Sequence, residues 1–342
     1  MPHPTRTIVS AATIAAASLA AAPCAAQSVA DFYKGKTVTI VMGTGPGGSY
    51  DLYGRTIGEH LARHIPGNPN IIIEHMPGAG GVIAGNHIYG SPIQDGTKIL
   101  LSHSIPLAEK LEPKGVRFES AKLQWLGTFD AIAHTMAIWH SAQVNTIDAL
   151  KSKPLVIGSF AKGHLTYQWP AMMKYVLNTN HQVITGYRSG SDLNLAMERG
   201  EVQGWAASWE NLAGTRPQWL TEKKVSVLVS FTVARKKQIP DVPTLLELAP
   251  ADKKDVVEFL TAGTLFGRAM VVGPGVPKDR VAALRKAFDE VMKDPAFLAE
   301  AQKRSLDIDP HDAVYAHTQV EKIAFASPDL VGRVKKAIGQ DD

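Results

Sequence analysis

Residues Thr37-Val38-Thr39-Ile40-Val41-Met42 make a β-branched apolar run that stops at Gly43, and the next apolar positions, Tyr53, Ile57 and Leu61, recur at the spacing of one helix face. Pro66-Gly67 closes that helix. A second run, Ile71-Ile72-Ile73, leads through glycines into a short helical stretch at residues 82–89 and a third run, Ile99-Leu100-Leu101. The order β-α-β-α-β predicts a parallel sheet with right-handed crossovers. From about Ala131 the pattern restarts with Leu155-Val156-Ile157, a helical segment reaching Leu177, Gln182-Val183-Ile184, a helix over residues 192–199, and runs at 202–208 and 225–231. That is a second α/β unit. Past Pro240 and Pro243 come the apolar run 269–272 and a helix opened by Pro277, with Val281, Leu284, Phe288 and Val291 on one face. Asp294-Pro295 reads as the cap and first residue of another helix.

The candidate chemistry sits between these elements. Gly43-Thr44-Gly45-Pro46-Gly47-Gly48-Ser49-Tyr50-Asp51 joins a strand to a helix, where glycines let the backbone approach a ligand and turn free N–H groups toward it. Ser49 is placed to cap that helix, whose first amides and dipole favour an anion. Pro77-Gly78-Ala79-Gly80-Gly81 repeats the arrangement after the next strand. Two such loops at the carboxyl ends of parallel strands lie at the crevice where open α/β sheets bind ligands, and together they describe a cradle for a small anion. The second unit offers a facing surface in Gly158-Ser159-Phe160-Ala161-Lys162-Gly163-His164 and in Tyr187-Arg188-Ser189-Gly190-Ser191, both opening onto helices. There Arg188 is placed for a charge-assisted contact to a carboxylate, and Ser191 to cap the helix ending at Gly200. Trp205 and Ser208 complete the candidate wall.

Other chemistries match less well. Gly43-x-Gly45-x-x-Gly48 satisfies the dinucleotide fingerprint, with Glu74 where a ribose-binding acid belongs, so a dinucleotide-binding oxidoreductase stands as an alternative. Against it, Glu74 lies beyond the ~20 residues expected, and Pro46 removes an amide donor. The P-loop reading fails because Ser49 stands where its lysine must be. Glu59, His60 and His64 share a helix without a third ligand and outside the His-Glu-x-x-His order, so a solvated face is expected there and no metal. No Gly-x-Ser-x-Gly elbow occurs, and neither a catalytic residue nor a cofactor is assigned.

The first residues read as an address. Arg6 is the single cation before an Ala-rich apolar stretch at 8–22, and Pro23-Cys24-Ala25-Ala26 follows, the layout of a secretory signal peptide cut after Ala26. Cys24 is the only cysteine, and the Pro23 before it departs from the small flexible residue of a lipoprotein signal, so lipid anchoring is not expected. Cleavage after Ala26 leaves no thiol for a disulfide, a zinc site or a nucleophile. The chain has 342 residues, 45% hydrophobic and 20% charged, which suggests two globular domains. Its 36 basic and 32 acidic residues give +4 without the clustered stripe that nucleic acid needs. Past residue 30 no apolar run reaches the roughly 18 positions of a membrane span.

The chain resembles the extracytoplasmic substrate-binding proteins of tripartite tricarboxylate transporters, the Bug or TctC type. The resembling residues are Gly45-Pro46-Gly47-Gly48-Ser49-Tyr50-Asp51, Met76-Pro77-Gly78-Ala79-Gly80-Gly81, Asp95-Gly96-Thr97, Gly186-Tyr187-Arg188-Ser189-Gly190, and Arg235 with Ile239-Pro240-Asp241-Val242-Pro243-Thr244 and Glu247, in family order through nearly the whole mature chain. The resemblance implies a type II periplasmic-binding-protein fold: two α/β lobes joined by a hinge, with the ligand cleft between them. The expected division is signal peptide 1–26, a discontinuous first lobe at 31–130 plus 240–342, and a second lobe at 131–239. It implies a non-catalytic periplasmic receptor, expected to be a monomer, that captures a small organic acid and delivers it to membrane transporter subunits. Other readings stay open: an enzyme on the same two-lobed fold, or a ligand sensor for a signalling receptor. In the family a ligand carboxylate is held largely by backbone amides of the two first-lobe loops, which makes Asp51 a loop-ordering residue. Departures also stand out. Tyr50 replaces an Asn common in relatives, Phe160-Ala161-Lys162 replaces a smaller polar stretch, and Pro170 is expected to delay the start of its helix. These put the usual dicarboxylate specificity in doubt and leave room for an aromatic or larger acid, or a neutral compound.

Overall fold

The apolar runs pair into two sheets, seen in a computed structural model that describes residues 1–2, 27–102, 104–266 and 268–340. Apart from Met1 and Pro2, the expected leader, with Arg6 and Cys24, lies outside the described residues. The strands are β1 (Thr37–Met42), β2 (Asn70–His75), β3 (Lys98–Ser102), β4 (Gln124–Thr128), β5 (His134–Trp139), β6 (Leu155–Gly158), β7 (His181–Ile184), β8 (Gly204–Ser208), β9 (Val225–Ser230), β10 (Ala269–Val272) and β11 (His311–Asp312). One sheet has the order β11-β4-β10-β3-β1-β2, the other β7-β6-β8-β5-β9. β1 is parallel to β2 and β3, as its β-α-β-α-β pattern requires. β6 is likewise parallel to β7 and β8. The antiparallel members β4, β10, β11, β5 and β9 widen both sheets. Of these, the pattern had revealed only β9 and β10 as strands.

Both faces of the first sheet are covered, which explains its unbroken apolar runs. Ile40 and Met42 of β1 pack with Ile99, Leu101, Tyr53, Ile57 and Leu61 in one cluster, while Val41 and Leu100 point into another. Helix Ser49–Leu61 thus buries the face that its spacing predicts. Helix Lys278–Val291 does the same with Val281, Leu284, Phe288 and Val291. Each such side chain contributes about 1.5–3 kcal/mol on burial. The Asp294 carboxylate accepts the Ala296 amide, capping helix Pro295–Lys303 as read.

Three local expectations are corrected. Helix Leu165–Leu177 starts ahead of Pro170 and runs through it. His164 pins that start, its Nδ1 accepting the Thr166 amide at 3.1 Å, while Leu165, Trp169, Met172 and Met173 bury one face and offset the missing proline N–H. The Glu59, His60 and His64 face is only partly solvated: Glu59 is exposed, but His60 is buried with its Nε2 2.7 Å from Glu300, and His64 pairs with Asp294 at 2.9 Å. Third, the caps of the two loop helices differ from those read, as described below.

The chain passes between the sheets along residues 129–133 and again after β9. These connections are hydrogen-bonded: Phe129 N to Arg268 O at 3.0 Å, Ile132 N to Thr264 O at 3.0 Å, and Trp209 N to Ala133 O at 2.8 Å. Arg268 is fully buried there, its Nη2 2.6 Å from the buried Glu210 and its Nη1 3.8 Å from Asp130. Lys236 joins at 3.6 Å from Glu210 and also pairs with Asp307.

Burial pushes the Asp130 carboxyl up to about 7, with Arg268 pulling it down and Glu210 pushing it further up. Unfolded, the group ionises near its ordinary value of about 4. Between those values the folded state keeps a proton the unfolded state has lost, so stability falls as pH rises from about 4 to about 7 and stays reduced above. Asp130→Asn is therefore expected to raise stability by about 1–3 kcal/mol at pH 8 and to change it little at pH 4. Thermal melts at the two pH values check this, and equal shifts at both would contradict it.

Candidate functional site

Between the two sheets lies a cavity of about 20 Å³, lined by Thr44, Gly45, Gly48, Ser49 and Tyr50 from the first glycine loop and by His134, Phe160, His164, Thr166, Gly190, Trp205, Ser208 and Asn211 from the opposite lobe. Four helices begin at this lining: Ser49–Leu61, Leu165–Leu177, Gly190–Glu198 and Trp209–Thr215. Each brings the positive end of its macrodipole, roughly half an elementary charge, toward the same space. Three are capped by side chains: His164, Ser189, which accepts the Asp192 amide, and Ser208, which accepts the Asn211 amide. The helix Ser49–Leu61 is different. Its N-cap is Gly48, with no side-chain cap, and Ser49 is its first helical residue, the Oγ turned instead to Ser208 Oγ at 3.1 Å. The capping expected of Ser49 is thus corrected, and this helix has no side-chain cap. Ser191 does not cap its helix either; its hydroxyl donates across the cleft to the Gly47 carbonyl.

The lobes touch through backbone. Gly45 N donates to Arg188 O at 2.9 Å. Gly47 has φ +85°, and a Cβ there would sit 2.6 Å from Ser191 Oγ; Gly80 has φ +63°, and its Cβ would come within 3.2 Å of His164. These close approaches explain glycine at both places. Asp51 orders the first loop: its Oδ2 accepts the Gly47 amide at 2.9 Å, and its Oδ1 lies 2.9 Å from Arg55 and 3.1 Å from His75. His75 Nδ1 in turn donates to the Thr44 carbonyl at 2.9 Å.

The residues read from sequence therefore separate. Thr44, Gly48, Ser49, Tyr50, Phe160, His164, Gly190, Trp205 and Ser208 line the cavity. Pro77, Gly78, Ala79, Gly80, Tyr187 and Arg188 line an outer groove of about 320 Å³ that shares Phe160 with it. Gly47, Asp51, Ser189 and Ser191 support the loops through the contacts above, and Pro46 lies exposed at the rim. Gly163 packs with Glu112 at its back. Lys162 is exposed and lines a separate groove with Glu112, Lys114 and Lys335. Sequence reasoning left out His134, Thr166 and Asn211, while Gly45, read as part of the first loop, also lines the cavity. His134 opens a strand with no glycine signal before it, and Asn211 follows a cap that only the fold reveals.

Among the described residues, the lining carries no Lys, Arg, Asp or Glu. Burial holds His164 down to about 3 and pushes His134 well below the usual imidazole range, so both rings are neutral. Burial also drives the Tyr50 phenol up, with Arg268 pulling the other way. Thr44 Oγ1, His134 Nδ1, Trp205 Nε1 and Asn211 Nδ2 are buried without a hydrogen-bond partner among the described residues. Two carboxylate clusters bring metal-ligating groups together, Asp130 with Glu210 and Asp307, and Glu59 with His60 and Glu300. Arg268 and Lys236 already neutralise the first, and Arg304 the second. Gly45 N and Gly47 N are engaged by Arg188 O and Asp51, so the glycine fingerprint has few donors left for a pyrophosphate and dinucleotide binding is not favoured.

This is the architecture of a two-lobed periplasmic-binding protein. The chain matches the structure of the periplasmic binding protein BugD with a TM-score of 0.73 at 19% identity, covering 89% of this chain and 98% of that one. It matches MatC from Rhodopseudomonas palustris with bound malate at 0.69 and 18%, covering 89% and 99%, and R. palustris Rpa4515 with adipate at 0.71 and 17%, covering 89% and 97%. In sequence it is 26% identical over 321 residues to the UPF0065 protein in the gbd 5'region of Cupriavidus necator, covering 90% of each chain. No protein-family model matches. The Bug/TctC resemblance read from the motifs is matched by the fold, which this chain shares with those solute-binding proteins. No helix among the described residues is long and apolar enough to cross a membrane.

Proposed function

We propose that this chain is an exported solute-binding protein that traps a small organic acid between its lobes, without transforming it, and passes it to membrane subunits of a tripartite tricarboxylate-type transporter. The observation that carries the reading is the convergence of four helix N-termini on one space between the sheets, one of them, at Ser49, lacking a side-chain cap. A carboxylate there meets N–H groups and aligned dipoles in a site of low dielectric, where each interaction is strengthened. Binding relatives of the same fold support it, since the structures with malate and adipate hold organic acids. In this reading residues 1–26 are a signal peptide removed on export to the periplasm, 31–130 with 240–342 form one lobe, 131–239 the other, and the receptor is a monomer.

Thermal-shift screening of the purified mature chain against organic acids and nicotinamide nucleotides tests the proposal. At least one acid is expected to raise Tm, because ligand at 100 times its Kd adds about 2.7 kcal/mol. Stabilisation by nucleotides with none by acids would overturn it.

A further inference from the structure

We propose that the cleft selects singly charged carboxylates bearing a neutral hydrogen-bond acceptor, and discriminates against dicarboxylates. This rests on the organic-acid reading above and narrows it. One carboxylate has a place at the N-terminus of helix Ser49–Leu61, whose N-cap Gly48 offers no side-chain cap. Among the described residues, the opposite wall offers no second counter-charge. It is built from Phe160, His164 and Trp205, with ring centroids 4.6 Å apart for Phe160 and His164 and 6.3 Å for Phe160 and Trp205. His164 Nδ1 accepts the Thr166 amide, a role that requires the ring's lone pair and hence the neutral form.

Two cations lie nearby, and neither serves the cavity. Arg268 lies among buried acids and pairs with Glu210. Arg188 is exposed in the outer groove and is not among the residues that line the cavity, while Phe160 lines both. What the wall does supply is neutral polarity: Trp205 Nε1, Asn211 Nδ2 and Thr44 Oγ1 are buried and unpartnered among the described residues. Trp Nε1–H and an amide NH₂ only donate, so they match a hydroxyl, keto or amide oxygen. A second carboxylate placed here would lose its water without gaining an opposite charge, a cost that neutral donors repay only in part.

Isothermal titration with pairs that differ by one carboxylate tests this: 2-hydroxybutyrate against malate, butyrate against succinate, and hexanoate against adipate. In every pair that binds, the monoacid is expected to bind at least tenfold more tightly, and 2-hydroxybutyrate more tightly than butyrate. A diacid that binds as tightly as its partner, or more so, overturns the inference and leaves the organic-acid reading standing. If no acid of either kind binds, both fail. A variant separates charge from shape. Phe160→Arg, with its fold checked by circular dichroism, is expected to move the preference at least tenfold toward the diacid; an unmoved ratio shows that charge is not the discriminator and overturns the inference.

Discussion

Glu210→Ala is expected to destabilise the protein by about 3–5 kcal/mol, because it leaves the Arg268 guanidinium buried without its partner. Neither side chain is exposed, and the Nη2 to Oε2 contact is 2.6 Å. Burial alone would raise the Glu210 carboxyl, but Arg268 and Lys236 outweigh it and hold the group below the usual carboxylate range, so the pair is ionised at neutral pH. Without Glu210, Arg268 retains the face of Tyr53 at 4.2 Å and Asp130 at 3.8 Å, which do not replace a charge-assisted hydrogen bond. Thermal denaturation is expected to show Tm lowered on the order of 10 °C. Glu210→Gln keeps the shape and an acceptor but not the charge, and is expected to fall between. The double variant Glu210→Leu with Arg268→Met removes both charges and is expected to recover most of the loss. A single Glu210→Ala variant as stable as the parent would show that the pair contributes nothing.

Gly47→Ala is expected to weaken binding of the best acid from the screen by about 30- to 150-fold, equivalent to about 2–3 kcal/mol, while leaving the fold intact. The new Cβ would sit 2.6 Å from Ser191 Oγ on the opposite lobe, so the obstruction exists only when the lobes are closed. Rotating Ser191 away breaks its bond to the Gly47 carbonyl, worth about 1 kcal/mol, and the residue must still hold φ +85°. A ligand that contacts both lobes then has to drive closure against this cost, which appears as lost affinity. Adding Ser191→Ala removes the obstructing oxygen and is expected to restore part of the loss. Unchanged affinity in Gly47→Ala would mean that binding does not use the closed arrangement.

Most strands, the loop helices and both glycine loops were legible because their signals are local: β-branched runs, apolar residues at helix spacing and glycine clusters between them. The short antiparallel strands β4, β5 and β11 were not. β11 is two residues long, and β5 takes its direction from pairing with β8 and β9. The helix caps show the same limit. Ser49 and Ser191 carry the right side chain in the right loop, yet both hydroxyls turn across the cleft, to Ser208 and to the Gly47 carbonyl.

The sequence by itself determined the two α/β units, the loops that face one another and the resemblance to a binding-protein family, since each rests on residues close together in the chain. Only the tertiary structure decided what the cleft is made of. Lys162 turns outward, Arg188 lines the outer groove, His134 and His164 lose their charge to burial, and Arg268 finds Glu210 in the other lobe. Those outcomes depend on distances and solvent exclusion between segments far apart in the chain, as in the contact of Ser49 with Ser208, and no local pattern of residues encodes them.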